Sequence, residues 1–486
     1  MVQEENERVL PVATLILLSF IYLVLQQAWP QVAAKELTFL AFALCFLLVL
    51  MSLTALAWLF AFMAFGYLVV LLSRRCSQCH PLSLVGPLVI LFAIFKRYEI
   101  FPLQPLYAHI PELTGLSFII FRVVMFVLDA REGNTAPDIL TYLNFCLSPF
   151  TFLSGPIQRL RAFREDTDRR KNFRLMATDA AAALTRTTNG LVKALFIGPF
   201  IQEFQSLFLH AADKSNITNL SQGIGVPVAY GWAALCYLLF LYFNFSGYTD
   251  IVIGLGRLFG FHLPENFNKP FAATSFLDFW ARWHISLSLW FRDYCFTPVL
   301  KYAVRAGVKN PVLATLPAYF ISFGLLGLWH GRTWPFILCG LMFATGSVLN
   351  HLYRVVISRL MSKEGLARLD SHHVWQALAS AVTFFYIAIA ITGLWLSGPE
   401  IIAILQSSTL RIACLAAPIV ILSLAAGLLL LKIVLQVAPV CKTLATLLRL
   451  SFETETSLAI AIKIFIVIVW YFAFSTHLPD FVYRGF

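Results

Sequence analysis

Long apolar runs without charged residues recur along almost the whole chain. The clearest is the stretch 37–73, which contains no Asp, Glu, Lys or Arg. A helix needs about 20 apolar residues to cross a bilayer, so this stretch predicts two helices or one sharply bent helix. Further spans are predicted near residues 10–29, 84–95, 114–130, 139–153, 190–210, 225–259, 311–330, 334–357, 375–395, 410–436 and 457–474.

Composition places the chain among integral membrane proteins. Of its 486 residues, 59% are hydrophobic and only 13% are charged. A helix satisfies its backbone hydrogen bonds within one segment, as a lipid environment requires. We therefore expect an all-α polytopic membrane protein with roughly 11–13 transmembrane helices, accompanied by re-entrant or interfacial helices. No long polar linker interrupts residues 1–486, which predicts a single polytopic domain in the lipid bilayer.

The formal net charge of +11 does not indicate a nucleic-acid partner. The basic residues lie in short loops between spans, as the positive-inside rule predicts for cytoplasmic loops. We expect the loops 159–174 and 301–309 to be cytoplasmic and the acidic N-terminus to lie on the other side. The N-terminus lacks the basic region of a cleaved signal peptide, so residue 1 is expected to stay in the mature protein.

Nine cysteines are scattered along the chain, most of them in apolar segments where a free thiol behaves as a small hydrophobe. We expect no disulfide framework and no metal site. The one exception in pattern is the C-x-x-C pair Cys76 and Cys79. A redox or metal role and an ordinary loop are both compatible with it, and a single such pair favours the loop.

Polar side chains inside apolar segments concentrate between residues 154 and 350. Asn244 and Tyr248 stand four apart within an apolar helical pattern and share one helix face. Hydrogen bonding between helices is the ordinary explanation of such residues, and contact with a substrate is the alternative.

The segment "FLDFWARWHISLSLWFRDY" combines aromatic and polar residues. Its large apolar side chains recur every three or four residues, which predicts one aromatic helix face: Trp280, Trp283, Leu287, Trp290 and Tyr294. Aromatic residues favour the membrane boundary, so we expect an interfacial or re-entrant helix.

Two polar pairs lie on other faces of this predicted helix. Asp278 and Arg282 stand four residues apart, as do His284 and Ser288, so each pair is predicted to interact. A purely structural interfacial helix would need fewer polar groups. We therefore expect this helix to present polar groups to a protein-lined cavity.

The segment "GLLGLWHGRTWPFIL" (324–338) places His330 in an apolar helix, next to Gly327 and Gly331. A neutral imidazole can sit in an apolar site and still accept a proton, as a hydroxyl that attacks an acyl carbonyl requires. Taken alone, His330 is better explained as a core histidine bonded to a backbone carbonyl. The second histidine, His284, favours a reaction centre or a proton path.

Several motifs resemble those of the membrane-bound O-acyltransferase family. They include "PENFNKPF", the aromatic segment above and "GLWHGRTWPFILCG", and the similarity covers roughly residues 85–357. The branch that these motifs resemble comprises bacterial alginate O-acetylation proteins and the transferase that D-alanylates lipoteichoic acid. The sequence departs from that branch at Asn244, where Asp is frequent, and at Arg122, where a neutral residue is usual.

The resemblance implies helices around a central funnel, with His330 as the catalytic residue and His284 as the second histidine. It also implies a cytosolic acyl-thioester donor, which is either acyl-CoA, with acetyl-CoA as the first candidate, or an acyl-carrier thioester. This donor would be a substrate and not a bound cofactor. The acyl group would pass across the bacterial cytoplasmic (inner) membrane to a cell-surface polymer or a partner protein. An extracytoplasmic acyltransferase or a small membrane protein is the expected partner.

The remaining site residues follow from these expectations. Asn268, Asp278, Arg282 and Arg292 are predicted to shape the cytoplasmic mouth, and Ser288 and Asn244 to contact substrate. Asp278 with Arg282 is also compatible with a structural ion pair. The catalytic core is expected at about 85–357, N-terminal spans at 10–73, and C-terminal spans at 375–474 with a tail at 475–486.

The tail ends in "FVYRGF" and places Tyr483 between two phenylalanines. Members of the resembled branch, or their small partners, often end in a similar pattern, which implies that Tyr483 carries the acyl group transiently, with a histidine as its base. An aromatic anchor at the membrane interface is the alternative.

A second function class also fits intramembrane polar groups. A transporter or flippase would use them as a substrate path. Secondary transporters often show internal repeats and paired broken helices, and neither is visible in the sequence.

Overall fold

The computed structural model describes residues 2–29, 36–76, 78–98, 110–111, 113–132, 138–171, 173–213, 220–407 and 410–437. The helices, in chain order, are α1 (Val2–Ala28), α2 (Glu36–Leu50), α3 (Leu53–Arg75), α4 (Pro81–Phe95), α5 (Leu116–Glu132), α6 (Ile139–Leu147), α7 (Pro149–Phe152), α8 (Leu160–Arg170), α9 (Ala177–Val192), α10 (Gly198–Asp213), α11 (Leu220–Leu258), α12 (Phe276–Trp280), α13 (Ile285–Phe291), α14 (Thr297–Arg305), α15 (Pro311–His330), α16 (Trp334–Leu360), α17 (Lys363–Ser371), α18 (His373–Ala390), α19 (Gly398–Ser407) and α20 (Leu410–Val437). Two π-helical turns, Lys193–Ile197 and Arg292–Phe296, interrupt this series.

The all-α polytopic class is confirmed. Within the described ranges six helices are long and apolar enough to cross a membrane: Leu53–Arg75, Ile224–Leu258, Pro311–His330, Trp334–Leu360, His373–Leu394 and Cys414–Ile433. Shorter apolar helices occupy Pro11–Leu25, Glu36–Leu50 and Pro81–Phe95. The run 37–73 forms two helices, α2 and α3, which was one of the two predicted outcomes.

The total of roughly 11–13 spans stays a prediction. The predicted span 457–474, the tail 475–486 and Tyr483 lie outside the described residues. The segment predicted as a span at 139–153 is divided between α6 and α7, and the one at 190–210 contains the π-helical turn Lys193–Ile197.

A buried arginine stabilises the break between α6 and α7. The Arg122 guanidinium of α5 donates hydrogen bonds to the carbonyl oxygens of Cys146 (2.6 Å), Phe145 (3.5 Å) and Thr151. The last carbonyls of a helix have no partner within the helix, and Arg supplies five donors in a fixed fork. The departure noted at Arg122 therefore has a structural cause.

A network of ion pairs, part of it buried, holds the loop after α11 against α9. Asp250 on α11 accepts hydrogen bonds from Lys193 (2.6 Å) and from Arg186 of α9 (3.1 Å). Arg186 also binds both carboxylate oxygens of Glu265, at 2.6 and 2.5 Å. Because Glu265 lies in the loop that follows α11, this network fixes the loop relative to two long helices.

Helix α8 lies against the same loop and against α1. The buried carboxylate of Asp166 on α8 accepts hydrogen bonds from Gln158 (2.6 Å) and from the His262 backbone N–H (3.0 Å). Arg170, near the end of α8, donates to the Tyr22 hydroxyl at 2.9 Å. Tyr22 lies near the C-terminal end of α1, so the basic segment 159–174 packs against that end of the helix, and the sides of the membrane predicted from the charge pattern stay a prediction.

The C-x-x-C pair, which the sequence leaves open between a redox or metal role and an ordinary loop, is oxidised in the structure. Cys76 and Cys79 form a disulfide in the turn between α3 and α4. The backbone oxygen of Cys79 accepts a hydrogen bond from Arg131 of α5 at 2.9 Å. The turn is therefore joined to α5 and is not an isolated loop.

Helices α15 and α16 approach closely at glycines. A Cβ on Gly327 would overlap the Phe336 carbonyl oxygen and lie 3.1 Å from the Cα of Gly340. Small residues permit such contacts between membrane helices. Since His330 lies one turn after Gly327, this contact helps to set the position of His330.

Replacing Gly327 tests this helix contact. We expect Gly327→Ala to lower stability by about 1–3 kcal/mol, because the added carbon meets backbone atoms that cannot rotate away. Thermal unfolding of the detergent-solubilised protein measures the effect. Gly324→Ala is the matched control on the same helix, where a Cβ meets nothing within 4 Å. Equal stability of the two variants would contradict the contact.

Candidate active site

His284 and His330 line the same small cavity. Both side chains are almost fully buried, with exposed fractions of 2% and 6%. The other lining residues are all apolar: Leu238, Leu241, Phe279, Trp280, Trp283, Leu287, Leu326, Phe343, Ile387, Ile391 and Leu394. The structure therefore brings together the two histidines that were predicted to form a reaction centre.

His330 is the last residue of α15, and its neighbours hold that helix end against α5. The Trp329 indole N–H donates to the Ser117 carbonyl oxygen at 2.8 Å. The Tyr98 hydroxyl donates to the Leu328 carbonyl oxygen. The Phe336 side chain occupies the space where Gly331 would carry a Cβ, so a larger residue there would displace the chain beside His330.

His284 lies between two short helices, in a backbone conformation that is unusual for a residue with a Cβ. Its φ and ψ angles are 43° and 51°, in the left-handed region. The imidazole packs edge-on against Phe245 of α11, with ring centroids 4.7 Å apart. Neither ring nitrogen of His284 has a hydrogen-bond partner among the described residues. Both nitrogens are thus available to a bound substrate.

The left-handed turn at His284 corrects the prediction of one continuous aromatic helix. The chain forms α12, a turn over residues 281–284, and α13. The predicted pairing of the His284 and Ser288 side chains is wrong. The Ser288 N–H donates to the His284 carbonyl oxygen at 2.9 Å, but the left-handed backbone at His284 takes its side chain off the helix face that carries Ser288, and neither imidazole nitrogen has a partner among the described residues. The Ser288 hydroxyl instead donates to the Trp283 carbonyl oxygen at 3.2 Å.

Three predicted binding residues form one group, which we name the Arg282 cluster: Asn268, Asp278 and Arg282. The Arg282 Nε atom lies 2.8 Å from Asp278 Oδ1, and the Asn268 N–H donates to the Arg282 carbonyl oxygen at 2.9 Å. The predicted ion pair is present, and none of the three residues lines the histidine cavity.

Arg292 belongs to a second group, which we name the Arg159 cluster: Arg159, Arg292, Asp293 and Tyr294. Asp293 accepts hydrogen bonds from Arg159 (2.5 Å) and Arg292 (2.8 Å), and the Arg159 guanidinium lies over the Tyr294 ring. This cluster is partly exposed and combines two cations with one carboxylate.

The Arg159 cluster and His330 lie beside opposite ends of α5. Trp329, beside His330, bonds to Ser117 at the start of α5, whereas the Tyr294 hydroxyl donates to Asp129 near its end at 2.9 Å. At 1.5 Å per residue, these two positions on α5 are about 18 Å apart. A donor whose charged part binds at the Arg159 cluster would need a long extended arm to reach His330.

Asn244 is buried on α11 and does not line the histidine cavity. Its neighbour Phe245 is the residue that packs against His284. The placement of Asn244 agrees with the helix-packing alternative, and a substrate contact stays a prediction.

Two buried polar residues that the sequence analysis passed over lie next to His284 in the hydrogen-bond network. Asn266 Oδ1 accepts hydrogen bonds from the Ser286 hydroxyl (2.6 Å) and the Ser286 N–H (3.4 Å). The Asn266 carbonyl oxygen accepts from the Ile285 N–H at 2.9 Å. The motif "PENFN" contains both Asn266 and Asn268, and the sequence-based prediction of a binding residue fell on Asn268.

Comparison with known proteins gives a family and several relatives. A sequence profile of the membrane-bound O-acyltransferase (MBOAT) family matches residues 112–395. The teichoic acid D-alanyltransferase of Streptococcus thermophilus is 32% identical over 280 residues, which cover 56% of this chain and 65% of that protein. The probable alginate O-acetylase AlgI of Azotobacter vinelandii is 33% identical over 251 residues, which cover 51% of this chain and 46% of that protein.

A teichoic acid D-alanyltransferase of Bacillus subtilis is 32% identical over 233 residues, 47% of this chain and 56% of that protein. The chain therefore spans between about half and two thirds of the length of these curated relatives. The profile match contains both histidines, the Asn266–Ser286 pair and every residue that lines the cavity. The chain belongs to the membrane-bound O-acyltransferase family.

Proposed function

We propose that this protein is an O-acyltransferase of the bacterial cytoplasmic membrane. It takes an acyl group from a cytosolic thioester and delivers it to a cell-surface polymer or to a partner protein. The observation that supports this proposal is the pair of buried histidines, His284 and His330, on one apolar cavity within the family-matched region. The transporter alternative is not favoured, since the relatives from Streptococcus, Azotobacter and Bacillus bear transferase or acetylase names.

In the proposed reaction, His330 is the general base. Its imidazole accepts the proton of the acceptor hydroxyl while the oxygen attacks the thioester carbonyl carbon. A new C–O bond forms, the C–S bond breaks, and the proton passes from His330 to the departing thiolate. An imidazole N–H of His284 donates a hydrogen bond to the carbonyl oxygen as negative charge develops there.

The donor's phosphates bind at the cytoplasmic end of the protein. Arg292, together with the basic segment 159–174, supplies guanidinium groups, which form charge-assisted hydrogen bonds to phosphate. Coenzyme A and acyl-carrier proteins share a flexible pantetheine arm, and this arm would cover the distance of about 18 Å along α5. The Arg282 cluster contributes polar groups at the same mouth.

The transferred acyl group is uncharged, and acetyl is the first candidate. The described residues that line the cavity include no carboxylate that would pair with an ammonium group. An unpaired charge in such a site costs several kcal/mol. A D-alanyl group carries an ammonium, so this cavity favours acetyl over D-alanyl transfer.

The acceptor lies on the extracytoplasmic side, and an extracytoplasmic acyltransferase or a small membrane protein completes the transfer. Tyr483 stays the predicted acyl relay in this scheme, supported by the sequence of the tail alone. No resident cofactor is required, since the thioester is consumed as a substrate.

Replacing the histidines tests the proposed chemistry. We expect His330→Ala to lower acyl transfer by at least about 100-fold, because a positioned general base contributes on the order of 10²–10⁴-fold. His284→Ala should cause a comparable loss. Thiol release from acetyl thioesters and incorporation of labelled acetyl into envelope polymer measure the two halves of the reaction. His373→Ala, at an exposed histidine on α18, is the control. Wild-type transfer by His330→Ala would contradict the assignment.

The preference for uncharged acyl groups has its own test. Propionyl and D-alanyl groups differ only by an amino group, so they are compared on the same thioester carrier. We expect propionyl to be transferred at least about tenfold faster than D-alanyl, because only the latter brings an unpaired charge into the cavity. Equal or faster transfer of D-alanyl would contradict the proposal.

A further inference from the structure

The imidazole of His284 must be oriented by groups other than hydrogen bonds to its own ring nitrogens. Its ring nitrogens have no partner among the described residues, and its left-handed backbone is disfavoured for a residue with a Cβ. Metal-free catalytic imidazoles are commonly oriented through the ring nitrogen that does not react. Here the orientation must come from the backbone on either side and from the contact with Phe245.

The backbone after His284 is bound by a single asparagine. The Asn266 carbonyl oxygen accepts from the Ile285 N–H, and Asn266 Oδ1 accepts from both the N–H and the hydroxyl of Ser286. These are the first two residues of α13, whose N–H groups have no partner within the helix. Asn266 thus takes the place of a helix cap at the position where His284 cannot act as one.

The Ser286 hydroxyl extends this arrangement to a third segment. Its oxygen accepts a hydrogen bond from the Ile157 N–H at 2.9 Å, while its proton goes to Asn266 Oδ1. One hydroxyl therefore joins the loop 153–159, the loop after α11 and the start of α13. Both loops are fixed elsewhere, through Asp166 on one side and through Arg186 with Glu265 on the other.

We propose that Asn266 and Ser286 are positioning residues for His284. They hold its backbone in the left-handed conformation that directs the imidazole into the cavity, and they do not themselves touch the reacting atoms. This inference rests on the proposed acyl transfer, in which His284 binds the developing oxyanion. A displacement of the imidazole by about 1 Å can cost on the order of 10²-fold in rate.

A double-mutant cycle separates positioning from general stabilisation. Ser286→Ala and Asn266→Ala are each made in the wild-type protein and in His284→Ala. We expect each single variant to lower kcat by about 10- to 100-fold with little change in KM, and to have almost no further effect once His284 is absent. An equal loss in both backgrounds would overturn the proposal, because a purely structural role does not depend on the imidazole.

Ser347→Ala is the matched control. Ser347 is fully buried on α16, and its hydroxyl donates only within its own helix, to the Phe343 carbonyl oxygen at 3.0 Å. The lost hydrogen bond reaches only the backbone of Phe343, and it involves neither the backbone of His284 nor the two loops that Asn266 and Ser286 join, so kcat should stay within about twofold of wild type.

An experimental structure of Ser286→Ala gives a readout that does not depend on activity. We expect the backbone at His284 to leave the left-handed region and the imidazole to move out of the cavity. An unmoved imidazole would overturn the positioning role. If the activity of His284→Ala is too low for the double-mutant cycle to be measured, this structure provides the test. If instead His284→Ala retains full activity, the proposed role of His284 in transfer fails, while the structural test of positioning still stands.

Discussion

The hydrogen bonds between Asn266 and the start of α13 allow this membrane protein to break a helix next to its cavity. Irregular backbone at membrane depth is tolerated only where protein groups satisfy its N–H and C=O groups. Asn266 meets that requirement with three hydrogen bonds to Ile285 and Ser286, and Ile157 is bound through the Ser286 hydroxyl. The break turns the chain sharply enough for the imidazole of His284 to share a cavity with His330.

The charged groups around this junction have a common role. Lys193, Arg186 and Asp250 lie largely buried between α9 and the long helix α11, and Glu265 connects them to the loop that bears Asn266. Asp166 connects α8 to the loop 153–159 and to the loop after α11. Buried charges are costly unless paired and hydrogen-bonded, and here each of the two buried carboxylates accepts more than one hydrogen bond. These paired charges fix the loop 153–159 and the loop after α11 in place beside the start of α13.

The helices could be predicted from the sequence because apolar runs of membrane length have few alternatives. The ion pair of Asp278 with Arg282 was also predictable, since four-residue spacing survives in the turn after α12. The same rule was wrong for His284 with Ser288, because the left-handed residue ends the periodicity on which the rule depends. The motif "PENFN" draws attention to the loop, but it could not distinguish Asn266 from Asn268, because the partner of Asn266, Ser286, is twenty residues away along the chain. Arg122 could be recognised in the sequence as a departure from the family pattern. Its role as a hydrogen-bond donor could not be predicted, because it depends on carbonyl groups that only the fold brings around it.

The structure links two regions of different chemistry. Polar and basic groups lie at one end of α5, and an apolar cavity with two imidazoles lies towards the other. This separation suits a reaction whose donor has a charged, hydrated part and a small uncharged acyl group at the end of an arm. Water excluded from the cavity would otherwise compete with the acceptor hydroxyl for the thioester.

The most direct measurement is an experimental structure of the protein with the ketone analogue of acetylpantetheine, in which a methylene group replaces the thioester sulfur. This analogue contains the portion that coenzyme A and carrier proteins share, and it cannot release its acyl group. The account predicts that the carbonyl of the analogue lies in the cavity, within about 3 Å of an imidazole nitrogen of His284 or His330. An acyl end bound elsewhere, with the cavity empty, would contradict the account.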